Sequence, residues 1–158
     1  MPPQGRAEVA RRRQQIESVF AQIDGVGLSA ELTAHYARYL SVVVGGFVEQ
    51  STKELVTQYA RKRSSPEVQR YVAAQLKRVR NVDAETLRQL LQSFDTSWWE
   101  QLYGRRPDEL ESLTSLVTVR NGVSHGNASS GITMGTVREY FQQVSTLLED
   151  LSDLLDPA

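Results

Sequence analysis

The sequence predicts an all-α fold, an up-and-down bundle of about five to six helices. Apolar residues recur at helical spacing along most of the chain, and no segment alternates apolar and polar residues as a half-buried strand does. Residues that cap helix N-termini precede several of these apolar stripes. At 158 residues the chain is expected to form a single domain, residues 1–158, with its own core.

The first half of the chain contains two predicted helices. One carries an apolar stripe over residues 9–23. The next follows the capping residue Ser29 and continues to about Arg63, with Gly45 and Gly46 in its middle. Because each glycine costs about 1 kcal/mol relative to alanine inside a helix, this pair predicts that another backbone approaches closely or that the helix kinks.

The chain after Arg63 contains four more predicted helices. Proline in a first turn and acidic residues at the positive end of the helix dipole indicate where some of them begin. The elements are a short helix opened by Pro66, a helix capped by Asp83 with an apolar stripe to Leu102, a helix opened by Asp108, a loop at 126–131, and a closing helix with a stripe over 137–155.

The composition is that of an ordinary globular protein, with 40% hydrophobic and 23% charged residues. The absence of cysteine excludes disulfides, thiolate metal sites and cysteine nucleophiles. The two histidines lack the spacing of a zinc site. No apolar run approaches the roughly 20 residues of a membrane helix, and the first residues contain no apolar signal core. We therefore expect a cytoplasmic protein with no metal and no membrane contact.

The net charge of −1 conceals an uneven distribution. Residues 53–106 carry eleven basic and six acidic side chains, whereas residues 107–158 carry two basic and eight acidic ones. The opposite charges either neutralise one another across packed helices or leave a basic face that attracts nucleic acid. Two basic runs either contact RNA phosphates or are solvated helix faces; their members are Arg61, Lys62, Arg63, Lys77, Arg78 and Arg80.

The segment from Arg120 to His125 carries the most specific chemistry. Arginine is a permanent cation whose fixed donors grip phosphate, and histidine titrates near neutral pH. Asn121 and His125 are four residues apart and share a helix face, as do Arg120 and Ser124. A step of five residues instead turns the side chain by about 140°. Arg120 and His125 would therefore meet only if the helix ends near His125, which Gly126 permits, or if two copies converge.

These residue types suit cleavage of RNA by its own 2′-hydroxyl without a metal. His125 would deprotonate that hydroxyl or protonate the leaving 5′-oxygen. Arg120 would hold the phosphate, and Asn121 would donate to the phosphate or orient the imidazole. The segment is equally explained as a helix terminus, because Asn-Gly is a common turn dipeptide and a basic residue stabilises the negative end of a helix.

The Arg-Asn-x-x-x-His segment resembles the signature of the HEPN superfamily. The surroundings are similar too: a long helix rich in Tyr and Val, the basic stretch 59–65, a late helix that ends in the motif, a short loop and a closing amphipathic helix. Over nearly the whole chain, the sequence looks most like the HEPN type found with RiboL-PSP and MAE-like defence systems. The resemblance implies a HEPN-like bundle that cuts RNA as a homodimer, with two motifs in one cleft and no metal or cofactor.

Specific roles also follow from this resemblance. It implies that Arg120 and His125 are catalytic, that Asn121 supports them, and that Glu49 on the long helix lies near the site. Ser124, which shares a helix face with Arg120, is a further candidate for a supporting role. The resemblance further implies a toxin or phage-defence effector controlled by an antitoxin or another protein regulator. Two alternatives stay open: a non-catalytic HEPN module that binds RNA or nucleotide, and a protein-interaction module that uses the late acidic helices.

Overall fold

A computed structural model describes residues 1–126 and 131–157. Seven α-helices and no strand occupy those residues. The helices are α1 (Arg6–Asp24), α2 (Ala30–Arg63), α3 (Pro66–Leu76), α4 (Ala84–Gln92), α5 (Thr96–Arg105), α6 (Pro107–Ser124) and α7 (Met134–Leu155). The predicted all-α bundle is confirmed, with one helix more than expected. Residues 127–130 of the predicted loop lie outside the described residues.

The additional helix arises because the predicted helix from Asp83 to Leu102 is two helices. Helix α4 ends at Gln92, and α5 begins after Asp95, whose carboxylate accepts a hydrogen bond from the Ser97 N–H at 2.9 Å. This aspartate caps a new helix rather than continuing the old one. The apolar stripe continues across the break, which is why spacing alone did not reveal it.

The predicted starts of α2, α3 and α4 are confirmed by their caps. The hydroxyl oxygens of Ser29 and Ser65 and the carboxylate of Asp83 each accept a hydrogen bond from the backbone N–H three residues later. The donor–acceptor distances are 3.2, 3.4 and 2.8 Å, respectively. Each cap satisfies one of the amide groups that the first turn leaves free.

Helix α2 is central to the bundle, because it contacts α1, α3, α6 and α7. Helix α7 packs against α1, α2, α5 and α6, and most of its predicted apolar stripe is buried. Helix α3, by contrast, packs against α2 and against no other helix in the part of the chain that the structure describes. In that part of the chain, no helix combines the length and apolarity needed to cross a membrane.

The carboxylate of Asp156, just after α7, joins both ends of the chain to α2. Its Oδ2 accepts a hydrogen bond from the Arg6 N–H at 3.0 Å, and its Oδ1 lies 2.6 Å from Lys62 Nζ. Because Gly5 at the N-cap of α1 has no side chain, Asp156 supplies the capping carboxylate from the other end of the chain. Burial acts to raise the pKa of Asp156, but the hydrogen bonds and charges of Lys62 and Arg6 outweigh it, and the pKa lies below its ordinary value.

We expect Asp156→Ala to lower the free energy of unfolding at pH 7 by about 1–3 kcal/mol, because the Arg6 N–H and Lys62 lose their acceptor. The folded pKa is lowered, so the carboxylate stabilises the protein above its unfolded pKa of about 4 and loses this effect as pH falls through the folded value. Urea unfolding of both proteins from neutral to acidic pH checks this expectation: the difference should shrink in acid.

Asp153→Ala is the matched control for this measurement. Its carboxylate is 56% exposed and pairs with the Arg6 side chain at 2.7 Å, so its removal should change stability little. A loss for Asp156→Ala that is the same at all pH values would contradict the assignment.

Candidate active site

The end of α6 carries the Arg120–His125 segment. Pro107 in the first turn and two acidic residues after it start this helix, and its apolar face is buried. The helix ends at Ser124, the His125 N–H donates to the Asn121 carbonyl oxygen at 3.0 Å, and Gly126 has a φ of +76°. The predicted helix end at His125 is therefore confirmed, with glycine in the left-handed conformation that terminates helices.

The side chain of Arg120 lies directly over Gly45 of α2. A Cβ atom on Gly45 would stand 2.6 Å from Arg120 Cδ, closer than side chains tolerate. The close approach predicted from the glycine pair thus exists, but the group that approaches is a side chain and not a backbone. Among the described residues, no atom outside the adjoining backbone of α2 lies within 4 Å of a Cβ built on Gly46, and nothing in the structure explains that glycine.

Glu49, one helical turn after Gly45, faces the same arginine. Arg120 Nη1 lies 3.6 Å from Glu49 Oε1, and the two side chains are only 20% and 13% exposed. Glu49 Oε1 also accepts a hydrogen bond from the Asn81 N–H at 2.8 Å, and Lys53 Nζ is 3.6 Å from its Oε2. The carboxylate is therefore shared among several donors, and the buried Arg120 Nη1 has no hydrogen-bond acceptor in the described chain.

Asn81 enters this arrangement through an unusual backbone conformation. It has a φ of +52°, the only non-glycine residue with positive φ in the described ranges. Asparagine adopts this left-handed region more readily than most residues because its short side chain bonds locally. The turn directs the Asn81 N–H at Glu49 and so fixes the α3–α4 connection against the middle of α2.

These residues line a cavity of about 400 Å³, which we call the cationic cavity. It contains four cationic side chains and one carboxylate, a formal charge of +3, and so attracts anions such as phosphate. Its lining residues are Glu49, Lys53, Lys77, Arg80, Asn81 and Arg120.

The other predicted site residues lie outside the cationic cavity. Asn121, Ser124 and His125 are exposed at the end of α6, and none of them lines it. Arg120 and Glu49 are thus brought together within one chain, whereas His125 is not brought into the same cavity. The described residues hold no group of three or more His, Cys, Asp or Glu placed to bind a metal ion.

The basic run at the end of α2 has partners within the chain. It begins twelve residues after Glu49, about 18 Å along the helix. The partners are Glu54, 3.1 Å from Arg61; Asp156, 2.6 Å from Lys62; and the ring of Tyr59, 4.4 Å from the Arg63 guanidinium. In this structure Arg61 and Arg63 pair within α2, Lys62 ties α2 to the end of α7, and none of the three lines the cationic cavity.

Sequence reasoning missed two residues of the cavity, Lys53 and Asn81. Lys53 follows Glu49 by four residues, which is the spacing of a helical ion pair and a usable signal. Asn81 had no comparable signal, because its contribution is a backbone N–H that depends on the conformation of a turn.

Comparison with known protein families places the chain in one family. The family model described as RiboL-PSP-HEPN matches residues 7–156, nearly the whole chain. No curated protein and no solved structure matches the chain significantly.

Alanine substitutions at the two glycines should have different effects on stability. Gly46→Ala should raise the free energy of unfolding by about 1 kcal/mol, because the new methyl group meets open space and alanine favours helix. At Gly45 the methyl group must displace Arg120, so we expect Gly45→Ala to be less stable than Gly46→Ala by about 1–2 kcal/mol. Chemical unfolding measures both.

A double-mutant cycle isolates the contact. In an Arg120→Ala background, Gly45→Ala should regain the stability that the clash removed, whereas the effect of Gly46→Ala should be unchanged. Equal stabilities of the two alanine variants in the wild-type background would show that Arg120 does not occupy this position in solution.

Proposed function

The chain belongs to the RiboL-PSP-HEPN family, and we propose that it is a metal-independent endoribonuclease that acts on RNA as a homodimer. The observation that carries the proposal is the position of Arg120, which lies over Gly45 and beside Glu49. Its Nη1 is buried without a hydrogen-bond acceptor among the described residues, and the side chain lines a cavity of net positive charge. A cation held in this way, in a partly buried position, is suited to a phosphodiester.

The position of Arg120 supports a role in holding the reacting phosphate. Its stem is fixed by the contact with α2, so little conformational freedom is lost when the guanidinium binds an anion. Glu49 keeps the guanidinium oriented without accepting a hydrogen bond from Nη1, because 3.6 Å is longer than a hydrogen bond. The charge that develops on the phosphate oxygens would be stabilised by this preset cation.

The position of His125 supports a site completed by a second copy. It is exposed at the end of α6, outside the cavity that holds Arg120 of the same chain. In a two-fold symmetric dimer the same surface faces itself, so two α6 ends that meet would bring two histidines and two arginines into one cleft. Asn121 and Ser124, exposed on the same end, would then face the substrate or the partner copy.

The proposed reaction is transesterification within the RNA. A neutral His125 removes the proton of the 2′-hydroxyl, the 2′-oxygen forms a bond to phosphorus, and the bond from phosphorus to the 5′-oxygen breaks. The same His125, now protonated, gives that proton to the leaving 5′-oxygen, while Arg120 of the other protomer holds the phosphate. The products are a 2′,3′-cyclic phosphate and a 5′-hydroxyl end. DNA lacks the nucleophile and is not a substrate.

A non-catalytic module that binds RNA or nucleotide is the second candidate. It is favoured by the absence of His125 from the lining of the cationic cavity, since the cavity residues suffice to bind an anion without it. The protein-interaction alternative is less favoured, because Asp150, Asp153 and Asp156 are each paired with a basic side chain of the same chain.

The biological role that we propose is a toxin or phage-defence effector, from the resemblance to HEPN proteins of defence systems. An antitoxin or other protein regulator would act by covering the α6 end or by keeping two copies apart. Growth arrest on expression of the wild-type chain in bacteria, absent with His125→Ala, measures this role; normal growth with both would contradict it.

Cleavage of labelled single-stranded RNA in excess EDTA is the direct test of the activity. We expect His125→Ala to lower the rate by about 10²–10⁴-fold, because acid–base catalysis is lost while the exposed side chain leaves the fold intact. Analysis of the product ends should show 2′,3′-cyclic phosphates. His35→Ala removes the other histidine, which is also exposed and contacts Arg38, and this variant should cut RNA normally.

Equal cleavage by His125→Ala and wild type would refute the enzyme proposal. RNA binding that depends on Arg120 but is accompanied by no product would instead establish the non-catalytic module.

Mixing two inactive variants tests whether the site is shared. Arg120→Ala and His125→Ala homodimers should each be inactive, but a heterodimer retains Arg120 in one protomer and His125 in the other. After exchange of subunits, we expect roughly a quarter of wild-type activity, since about half of the dimers are mixed and each has one intact pair. An inactive mixture, with exchange verified by differently tagged chains, would contradict a shared site.

A further inference from the structure

A groove between α3 and α4 adjoins the cationic cavity. It has a volume of about 780 Å³ and exists because α3 packs only against α2, among the helices described, and leaves its other side open. We call it the α3–α4 groove. Val56 of α2 lies at its base, and the apolar side chains of Val68, Val72 and Leu90 line its walls.

Two aromatic side chains give this groove a specific character. Tyr71 of α3 is 66% exposed, and Phe94, just after α4, is 40% exposed. Phe94 is held from within by Tyr59 and Trp98, whose ring centroids lie 6.1 and 5.9 Å from its own. A fixed ring and an exposed ring on one groove are suited to stacking against a flat, unsaturated ligand.

Cationic side chains connect the groove to the candidate active site. Arg78 and Arg80 line the groove, and Arg80 also lines the cationic cavity that contains Arg120. Neither arginine has a carboxylate within salt-bridge distance in the described chain, unlike the basic run at the end of α2. An apolar, aromatic surface on one side of Arg80 is therefore continuous with an anion-binding surface on its other side.

The connection between α3 and α4 holds this boundary in place. The Val79 N–H donates to the Leu76 carbonyl oxygen at 3.1 Å, and the Asp83 N–H donates to the Asn81 carbonyl oxygen at 2.8 Å. The Asn81 N–H is bound to Glu49. Arg80 is thus carried by a short segment that is hydrogen-bonded at both ends, one of them to the carboxylate that faces Arg120.

We propose that the α3–α4 groove binds a nucleobase of single-stranded RNA whose phosphate lies in the cationic cavity, with Arg80 between them. This inference rests on the proposed function, because it names how the substrate of that site is held. The base stacks on Tyr71 and Phe94, and Arg80 contacts the phosphate that joins the base to the strand. Stacking accepts any base, so the groove selects unpaired RNA and not a sequence.

Binding of RNA by a non-cleaving protein tests the groove separately from the chemistry. In the full-length His125→Ala background, Tyr71→Ala should weaken binding of fluorescein-labelled oligoadenylate by about 5- to 150-fold, as measured by anisotropy. Tyr71→Phe keeps the ring and should bind as the parent does. Tyr103→Ala removes a tyrosine that is 58% exposed on α5, outside the groove, and should have no effect.

Two further measurements separate base stacking from charge. An abasic ribose-phosphate oligomer should bind equally to the parent and to Tyr71→Ala, since it offers no base. Arg80→Gln should reduce the slope of log affinity against log salt by about 0.7, the loss of one phosphate contact on a single strand. Arg70→Gln, on α3 but outside the groove, is its matched control.

Each outcome decides a distinct claim. If Tyr71→Ala binds oligoadenylate as tightly as the parent, or weakens binding of the abasic oligomer equally, base binding in the groove is overturned. If Tyr71→Ala weakens binding of oligoadenylate as expected but wild-type protein cuts no RNA, the groove stands and the endoribonuclease proposal fails.

Discussion

The contact between Arg120 and Gly45 determines the arrangement of the candidate site. A side chain at position 45 would collide with the arginine stem at 2.6 Å, so α6 can bring a cation against the middle of α2 only because a glycine is there. Glu49 lies one helical turn after Gly45 on the same face of α2. Its Oε1 is therefore 3.6 Å from Arg120 Nη1. Glu49 in turn binds the Asn81 N–H and positions the α3–α4 connection with its basic residues. A larger side chain at position 45 would therefore disturb Arg120, and with it the other residues that line the cationic cavity.

Two groups of basic residues can be distinguished in this protein: those paired with carboxylates elsewhere in the bundle, and those that line the cationic cavity and can bind an anion. Four of the eight acidic residues in the last third of the chain pair with basic residues elsewhere: Arg106 binds Asp150, Lys62 binds Asp156, Arg6 binds Asp153 and Arg13 binds Glu149. This agrees with the expectation that opposite charges neutralise one another across packed helices. The cations around the cavity differ, because Glu49 is the one carboxylate among its lining residues. An unmatched cluster inside a nearly neutral protein attracts an anion locally while overall charge does not.

The sequence predicted features that depend on local physics and missed those that depend on turns. Caps at Ser29 and Asp83 and the apolar stripe of α7 follow from neighbouring residues, and the structure confirms them. The break before α5 was missed because the stripe continues in phase across it. The glycine pair predicted that another backbone approaches α2 or that the helix kinks, but the group that approaches Gly45 is the side chain of Arg120. No pattern could place the Asn81 N–H on Glu49, since that bond joins residues 32 positions apart through a left-handed turn.

The separation of Arg120 from His125 follows from helix geometry and constrains any mechanism. Four residues bring side chains to the same face of a helix, but five turn them apart by about 140°. Arg120 accordingly faces α2, and His125 is exposed where α6 ends. A side chain directed inward, next to a partly buried carboxylate, is suited to holding a phosphate, whereas an exposed imidazole is suited to exchanging protons with a substrate. Within one chain, Arg120, suited to phosphate binding, and His125, suited to proton exchange, therefore lie on different surfaces. Two copies related by a two-fold axis can present them to one substrate, and so the five-residue spacing itself favours a shared site.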